Sequence, residues 1–331
     1  MKAKLASLQT LFRGQKSHVL FICAIALVAA SVFLVAPSWA PGVTAATGGG
    51  DASGREIRHG PLAAARQPAS TARAAQRFVT LNSGDILDLS PGPVDFGGHP
   101  ELLSRIGSSW KFRAESGGHA VLSVGSGPSR RRIFVFVTPM PSRQVTRNDL
   151  DWYRSQFGTG IANCGPALVS MSILWARGQD VPVQEIRSEI GYPYDDGATS
   201  FDDLRESLER HRVAYRSPIL SGPQDLVDVL DHGHLALVLI QSGGIAKVAG
   251  DPSTNLVGRY YDDDLGHYIL VKGYSLDRGY FVVYDPYPVD WETNSMRYPD
   301  AISPIGKNRY YPSRQLFDAL KTRMILEVTS D

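Results

Sequence analysis

Cysteine is scarce: 331 residues contain only Cys23 and Cys164. A disulfide between them is excluded, because Cys23 lies inside an apolar run and Cys164 in a Gly- and Pro-marked turn far downstream. The thiol left in the downstream part is then either a reactive group or a small buried hydrophobe. An excess of either charge is also missing, with Lys plus Arg at 34 against Asp plus Glu at 33. That balance excludes the basic footprint of a nucleic-acid binder and a polybasic membrane patch. No lipobox surrounds Cys23, which argues against lipidation. Hydrophobic and charged fractions of 43% and 20% are ordinary for a folded soluble protein, and the length suggests two globular units with flanking segments.

What is present begins with an export signal. Lys2, Lys4, Arg13 and Lys16 precede an uncharged apolar run over residues 19–35, a pattern that engages the membrane with the N-terminus kept inside. The cleavage triplet Ser38-Trp39-Ala40 is followed by Pro41, a poor residue there, so residues 1–40 read as a signal anchor in preference to a removed signal peptide. The expected location is the periplasmic or extracellular side of a bacterial membrane, anchored through the N-terminal apolar segment, or secreted if the signal is cleaved. Residues 41–76, rich in Ala, Gly, Ser, Thr and Pro, read as a flexible linker.

Residues 77–138 change to short alternating runs at 78–81, 86–89, 110–112, 120–124 and 133–137, which predict strands of a small β-sandwich. The string SGGHAVLSVGSGPSRRRIFVFV resembles the closing strands of bacterial immunoglobulin-like domains. His99 and His119 read as loop or edge polar residues of a spacer without a ligand. After a connector over 138–148, residues 149–331 predict helices at 166–177, 183–190, 200–211, 223–231 and 313–321, and strands at 235–240, 267–274, 279–285 and 323–328. A helical first half and a sheet-forming second half make the fold class α+β.

The chemistry concentrates in QFGTGIANCGPALVSMSILW, residues 156–175. Asn163 suits a helix cap, Pro166 suits the first turn, and Leu168, Met171 and Trp175 supply an apolar stripe. Cys164 then sits at a helix N-terminus, where the macrodipole and free N–H groups favour the nucleophilic thiolate. Gly165 is read as giving a substrate room beside the sulfur. A thiolate of this kind works with an imidazole and an orienting group. GHYILVKGY and YFVVYDPY read as two strands joined by a turn over 276–279, which brings His267 beside Asp285.

The order of these segments, Gln156, Cys164-Gly165-Pro166, Gly266-His267-Tyr268 and Tyr284-Asp285-Pro286, resembles the peptidase C-39-like domains, papain-like cysteine peptidases related to bacteriocin-processing enzymes. TSFDDLRESLERHRV, GHLALVLIQSG and YYPSRQLFDALKTRMILEV extend the resemblance across 149–328. It implies a papain-like domain with Cys164 as nucleophile, His267 as general base and then acid, Asp285 as the orienting carboxylate, and Gln156 as an oxyanion donor together with the Cys164 N–H. Gln156 lies eight residues before Cys164, more than in the transporter-linked members. The chain also has no Gly-Lys-Ser/Thr phosphate loop, so cleavage after a double-glycine leader does not carry over.

The function expected is an exported cysteine hydrolase acting on a peptide or protein of the cell envelope, with no cofactor or metal. Acyl transfer to an amine by the same triad, and a non-catalytic peptide-binding envelope adaptor, remain alternatives. Oligomeric state is not legible. The acidic run Asp262, Asp263, Asp264 lacks the spacing of a calcium loop, and His232 with His234 lacks a third zinc ligand. Tyr260, Tyr261, Tyr284, Tyr287 and Trp291 form an aromatic group near the candidate site, read as packing in preference to a substrate platform.

Overall fold

Branched and aromatic residues alternating with polar ones set the first part of the chain as strands. The computed structural model describes residues 76–330 apart from 90–93, 96–100, 109, 158, 160–161, 193–196 and 289–295. The 1–40 signal, the 41–76 linker up to residue 75, His99 and Trp291 lie outside the described residues. No helix among the described residues is long and apolar enough to cross a membrane.

Strands β1 (Arg77–Leu81), β2 (Ile86–Asp88), β3 (Val94–Asp95), β4 (Leu103–Arg105), β5 (Lys111–Ala114), β6 (Gly118–Val124) and β7 (Arg131–Val137) form two sheets, β1-β7-β6-β3 and β2-β5-β4. The β6–β7 hairpin is in register from Gly118↔Val137 to Val124↔Arg131, and β1 joins β7 in parallel. Both sheets bury side chains in one cluster that includes Leu87, Leu103, Phe112, Leu122, Ile133 and Val135.

The expected connector is partly a strand, β8 (Ser142–Gln144). The elements that follow are α1 (Cys164–Arg177), α2 (Val183–Ile190), α3 (Phe201–Arg210), β9 (Tyr215–Arg216), α4 (Pro223–Asp231), β10 (Leu235–Gln241), β11 (Gly266–Ser275), β12 (Tyr280–Tyr284), β13 (Arg309–Pro312), α5 (Ser313–Asp318) and β14 (Leu326–Val328). The sheet runs β13-β12-β11-β10-β14-β9, and β8 pairs with the far end of β11.

The period-2 pattern of β10 divides this sheet between two cores. Leu235 and Leu237 join Tyr268, Leu270 and Tyr284 under α1, α2 and α3. Ala236, Val238 and Ile240 join Ile269, Val271 and Val283 under α4 and α5. Each fully buried Leu or Ile contributes about 1.5–3 kcal/mol. Helix α1 has no solvent face: every residue from Cys164 to Trp175 is buried, so the expected single stripe is a side chain set packed all round. Its polar exceptions are satisfied, with the Ser172 hydroxyl donating to the Leu168 carbonyl at 2.8 Å and Ser170 donating to the Val181 carbonyl. Gly178, at φ 68°, closes the helix with its N–H on the Leu174 carbonyl.

Pairing between β11 and β12 shifts between Val271 and Gly273, leaving Lys272 as a bulge residue. Its ammonium is buried, donating to Gln144 Oε1 at 2.9 Å and Asn308 Oδ1 at 3.0 Å. A cavity of about 40 Å³ beside it is also lined by His119, Lys307, Phe136 and Trp152. His119 is accordingly not an edge residue; it is 3% exposed and stacks on Tyr298 at 4.3 Å.

Candidate active site

Helix α1 begins at Cys164, two residues before the expected start, after a turn in which Ala162 adopts φ 62°. Asn163 occupies the cap position but its side chain makes no cap bond. Instead Nδ2 donates to the Thr159 carbonyl, and Oδ1 accepts from Nε of Arg187. At Gly165, expected to give a substrate room beside the sulfur, the structure shows a role in packing. A Cβ there would meet the Thr199 hydroxyl and Leu204 Cδ2, so the missing side chain serves packing of α1 against α3.

His267 is the second residue of β11, and Asp285 immediately follows β12, so the hairpin brings them together. Nε2 of His267 lies 2.8 Å from Oδ1 of Asp285, and both side chains are 0% exposed. The other imidazole nitrogen, Nδ1, makes no hydrogen bond of regular geometry. The ring is nonetheless close enough to the Cys164 thiol for each to alter the other's titration.

Burying a carboxylate is costly unless its oxygens are satisfied, and Asp285 is surrounded by donors. The Tyr311 and Tyr261 hydroxyls donate to Oδ2 at 2.6 and 3.1 Å, and the Tyr287 N–H donates to Oδ1 at 2.9 Å. Its carbonyl accepts from the Tyr153 and Tyr260 hydroxyls at 2.8 and 3.1 Å. Burial pushes the Asp285 carboxyl up, but the charge and hydrogen bond of His267, then Tyr311 and the Tyr287 N–H, bring it below its usual range. Burial pushes the His267 imidazole down, but the charges and hydrogen bonding of Asp285 and Cys164 together outweigh it and raise the group to about 10. Burial opposes ionisation of Cys164, yet His267, with the backbone groups of Tyr268 and Gly165, lowers the thiol below its ordinary value. The arrangement favours a thiolate beside an imidazolium.

Gln156 is 3% exposed. Its N–H donates to the Pro286 carbonyl at 2.9 Å, and its carbonyl accepts from Thr159, whose own carbonyl holds Asn163. The turn carrying Gln156 therefore runs between the start of α1 and the Asp285-Pro286 segment. Oε1 of Gln156 has no hydrogen-bond partner.

Among the aromatic residues, Tyr260, Tyr261, Tyr284 and Tyr287 are buried, the packing reading. Three of them hold Asp285 or its segment, which the sequence did not indicate. Tyr311 and Gly306 were also missed. Gly306 accepts the Asp285 N–H at 2.9 Å and packs against the Tyr153 and Tyr260 hydroxyls. The three acidic residues act separately: Asp262 pairs with Lys247, Asp263 accepts from the Tyr287 hydroxyl, and Asp264 accepts from Gln241 and the Gly243 N–H. His234 pairs with Glu327 at 2.5 Å and lies beside His232. Among the described residues no cluster of three or more His, Cys, Asp or Glu is arranged to hold a metal.

The sequence profile of the Peptidase_C39 like family matches residues 143–314, which contain this whole constellation. The chain belongs to that family. The family is one of cysteine peptidases, and the chain has its mix of helices and strands. Solved structures with some similarity include the peptidase domain of Streptococcus ComA, described as a bi-functional ABC transporter involved in quorum sensing (13% identity, 54% of this chain, 99% of that one, TM-score 0.35). A C39-like peptidase from Bacillus anthracis aligns at 11% identity over 54% of this chain and 94% of that one, with a TM-score of 0.36. A double glycine motif protease from an AMS/PCAT transporter, solved with a leader peptide, aligns at 12% identity over 53% and 91%, with a TM-score of 0.32. No curated protein matches the chain.

Proposed function

We propose that the protein is an exported cysteine hydrolase that cleaves peptide or amide bonds with Cys164, His267 and Asp285. The observation that carries this reading is a buried imidazole held by Asp285 through Nε2, with its Nδ1 otherwise unengaged and a thiol of lowered pKa beside it. The Cys164 thiolate attacks the carbonyl carbon, and the oxyanion accepts hydrogen bonds from the Cys164 N–H and the Gln156 amide. Nδ1–H of the imidazolium passes its proton to the leaving amine as the C–N bond breaks. His267, now neutral, takes a proton from water, the hydroxide displaces the sulfur, and the acid product leaves. Asp285 keeps its charge throughout and fixes the ring's orientation.

The same proposal assigns residues 1–40 to a signal peptide or anchor, 41–76 to a linker, 77–138 to a small immunoglobulin-like β-sandwich and 149–331 to the catalytic domain. The basic flank and apolar run at the N-terminus support export, and the two sheets sharing one core support the sandwich. The substrate is then a peptide or protein of the cell envelope. Incubating wild type and Cys164→Ala with an envelope-derived peptide pool tests the assignment. New cleavage products are expected with wild type alone; equal product formation by a folded Cys164→Ala variant contradicts it.

A further inference from the structure

Arg187, in α2, is among the largest side chains fully withdrawn from solvent, at 0% exposure. Its guanidinium is spread over two segments. Toward the start of α1, Nε donates to Oδ1 of Asn163 and Nη2 donates to the Ala162 carbonyl at 2.6 Å. Toward the loop after α2, Nη1 donates to the Gly191 carbonyl and Nη2 to the Gly197 carbonyl, each at 3.0 Å. The Tyr192 ring packs 4.9 Å from the guanidinium carbon.

The place where these bonds end matters. Ala162 has φ 62°, a left-handed conformation that crowds any residue with a Cβ. Such a residue persists when its surroundings over-determine it, and Arg187 bonds both Ala162 and Asn163, the two residues directly before Cys164. Asn163, released from capping, is held between Arg187 and Thr159. The charge has the useful sign as well, since Arg187 and an ionised Cys164 attract each other. A buried arginine that merely ties loops together would satisfy the same carbonyls. It would leave the titration of Cys164 unchanged, and that difference can be measured.

We propose that Arg187 is a positioning residue of the catalytic site, holding the Ala162–Asn163 turn so that Cys164 opens α1 beside His267, and adding positive charge that stabilises the thiolate. The proposal rests on the reading of Cys164 as nucleophile. It assigns to α2 a part in catalysis although α2 supplies no group that touches a substrate.

The test is the rate of iodoacetamide alkylation of Cys164 in the full chain across about pH 5 to 10, with peptide mapping to separate it from Cys23. Wild type, Arg187→Met, Arg187→Lys, Asn163→Ala and His267→Gln are compared, with circular dichroism to check folding. Arg187→Met is expected to raise the midpoint and slow alkylation at neutral pH by roughly 10-fold, as one pKa unit requires. Arg187→Lys keeps the charge and is expected to retain most of the midpoint while losing plateau reactivity. A folded Arg187→Met variant whose profile superimposes on wild type overturns the proposal. Should that variant not fold, wild-type profiles in both Arg187→Lys and Asn163→Ala overturn it equally. Failure of the nucleophile reading looks different: wild type itself then titrates like free cysteine and His267→Gln changes nothing.

Discussion

The imidazole of His267 and the carboxylate of Asp285 meet at 2.8 Å with neither side chain exposed to water. A hairpin turn joins the two strands that carry them, so the contact is local in the fold although 18 residues separate the pair. In a medium of low dielectric, an interaction of this kind governs the charge state of the ring and, through it, that of the thiol.

Asp285→Asn keeps the shape and removes the charge. The Tyr261 and Tyr311 hydroxyls and the Tyr287 N–H then face an amide, and the imidazolium loses its counter-charge. The expected loss in kcat/KM is about 10²- to 10⁴-fold with the fold retained. Hydrolysis of p-nitrophenyl acetate, followed with near-UV circular dichroism, checks both parts; a loss below threefold contradicts the assigned role.

The pair also sets a pH window. Activity is expected to rise as pH climbs through the lowered thiol pKa, below 9, and to fall as His267 deprotonates near 10. For stability, His267 titrates higher in the folded chain than its ordinary 6.5. Its contribution is therefore complete below about 6.5 and lost as pH rises through about 10. Asp285, whose folded pKa is depressed from 3.8, contributes above that value and loses its contribution as pH falls through the folded pKa. Urea unfolding of wild type and His267→Gln from pH 6 to 10 reads the first effect as a difference that changes across the window; a constant difference contradicts it.

Lys272 gives the opposite slope. Burial and the neighbouring Lys307 lower it from 10.5 to about 7, so between these values the unfolded chain binds the extra proton. Stability from this group rises with pH over about 7 to 10.5. Lys272→Met is expected to flatten that rise, at the cost of leaving the Gln144 and Asn308 acceptors unfilled. Because His267 acts in the other direction over the same range, each effect is read against its own variant. Parallel slopes for wild type and Lys272→Met contradict the account.

Gly306→Ala tests how closely the Asp285 segment is packed. The added methyl meets the Asp285 carbonyl and the Tyr260 and Tyr153 hydroxyls, the last two at 2.5 and 2.6 Å. Overpacking of this kind costs about 1–3 kcal/mol, and activity is expected to fall with it as Asp285 moves. Unchanged urea midpoint and activity contradict this packing.

Much of the α+β unit is legible in the sequence, because periodicity and turn chemistry act locally. Helices α2 and α4 start and stop at the residues the pattern indicates, and the hairpin geometry follows from the turn after Leu276. Helix α1 starts early because Cys164 and Gly165 adopt helical conformation ahead of Pro166, which itself tolerates the first turn. Strand β13 escapes notice because RYYP is short, ends in proline and is buried on both faces, so no alternation marks it. Strand β8 escapes because its residues pair with β11 far away in sequence. Tyr311 is hidden with β13, and Arg187 reads as the polar face of an amphipathic helix, although the carbonyls of Gly191 and Gly197 and the residues directly before Cys164 take up its guanidinium. The expected Asn163 cap fails for the same reason: Arg187, distant in sequence, competes for its side chain.

The most direct test of the central claim is covalent. Wild-type protein mixed with p-nitrophenyl acetate and quenched in acid within the burst is digested and analysed by mass spectrometry. An acetyl group on Cys164, absent in His267→Gln under the same timing, is the predicted result. Release of p-nitrophenol by folded wild type with acetylation elsewhere and none on Cys164 would contradict the account.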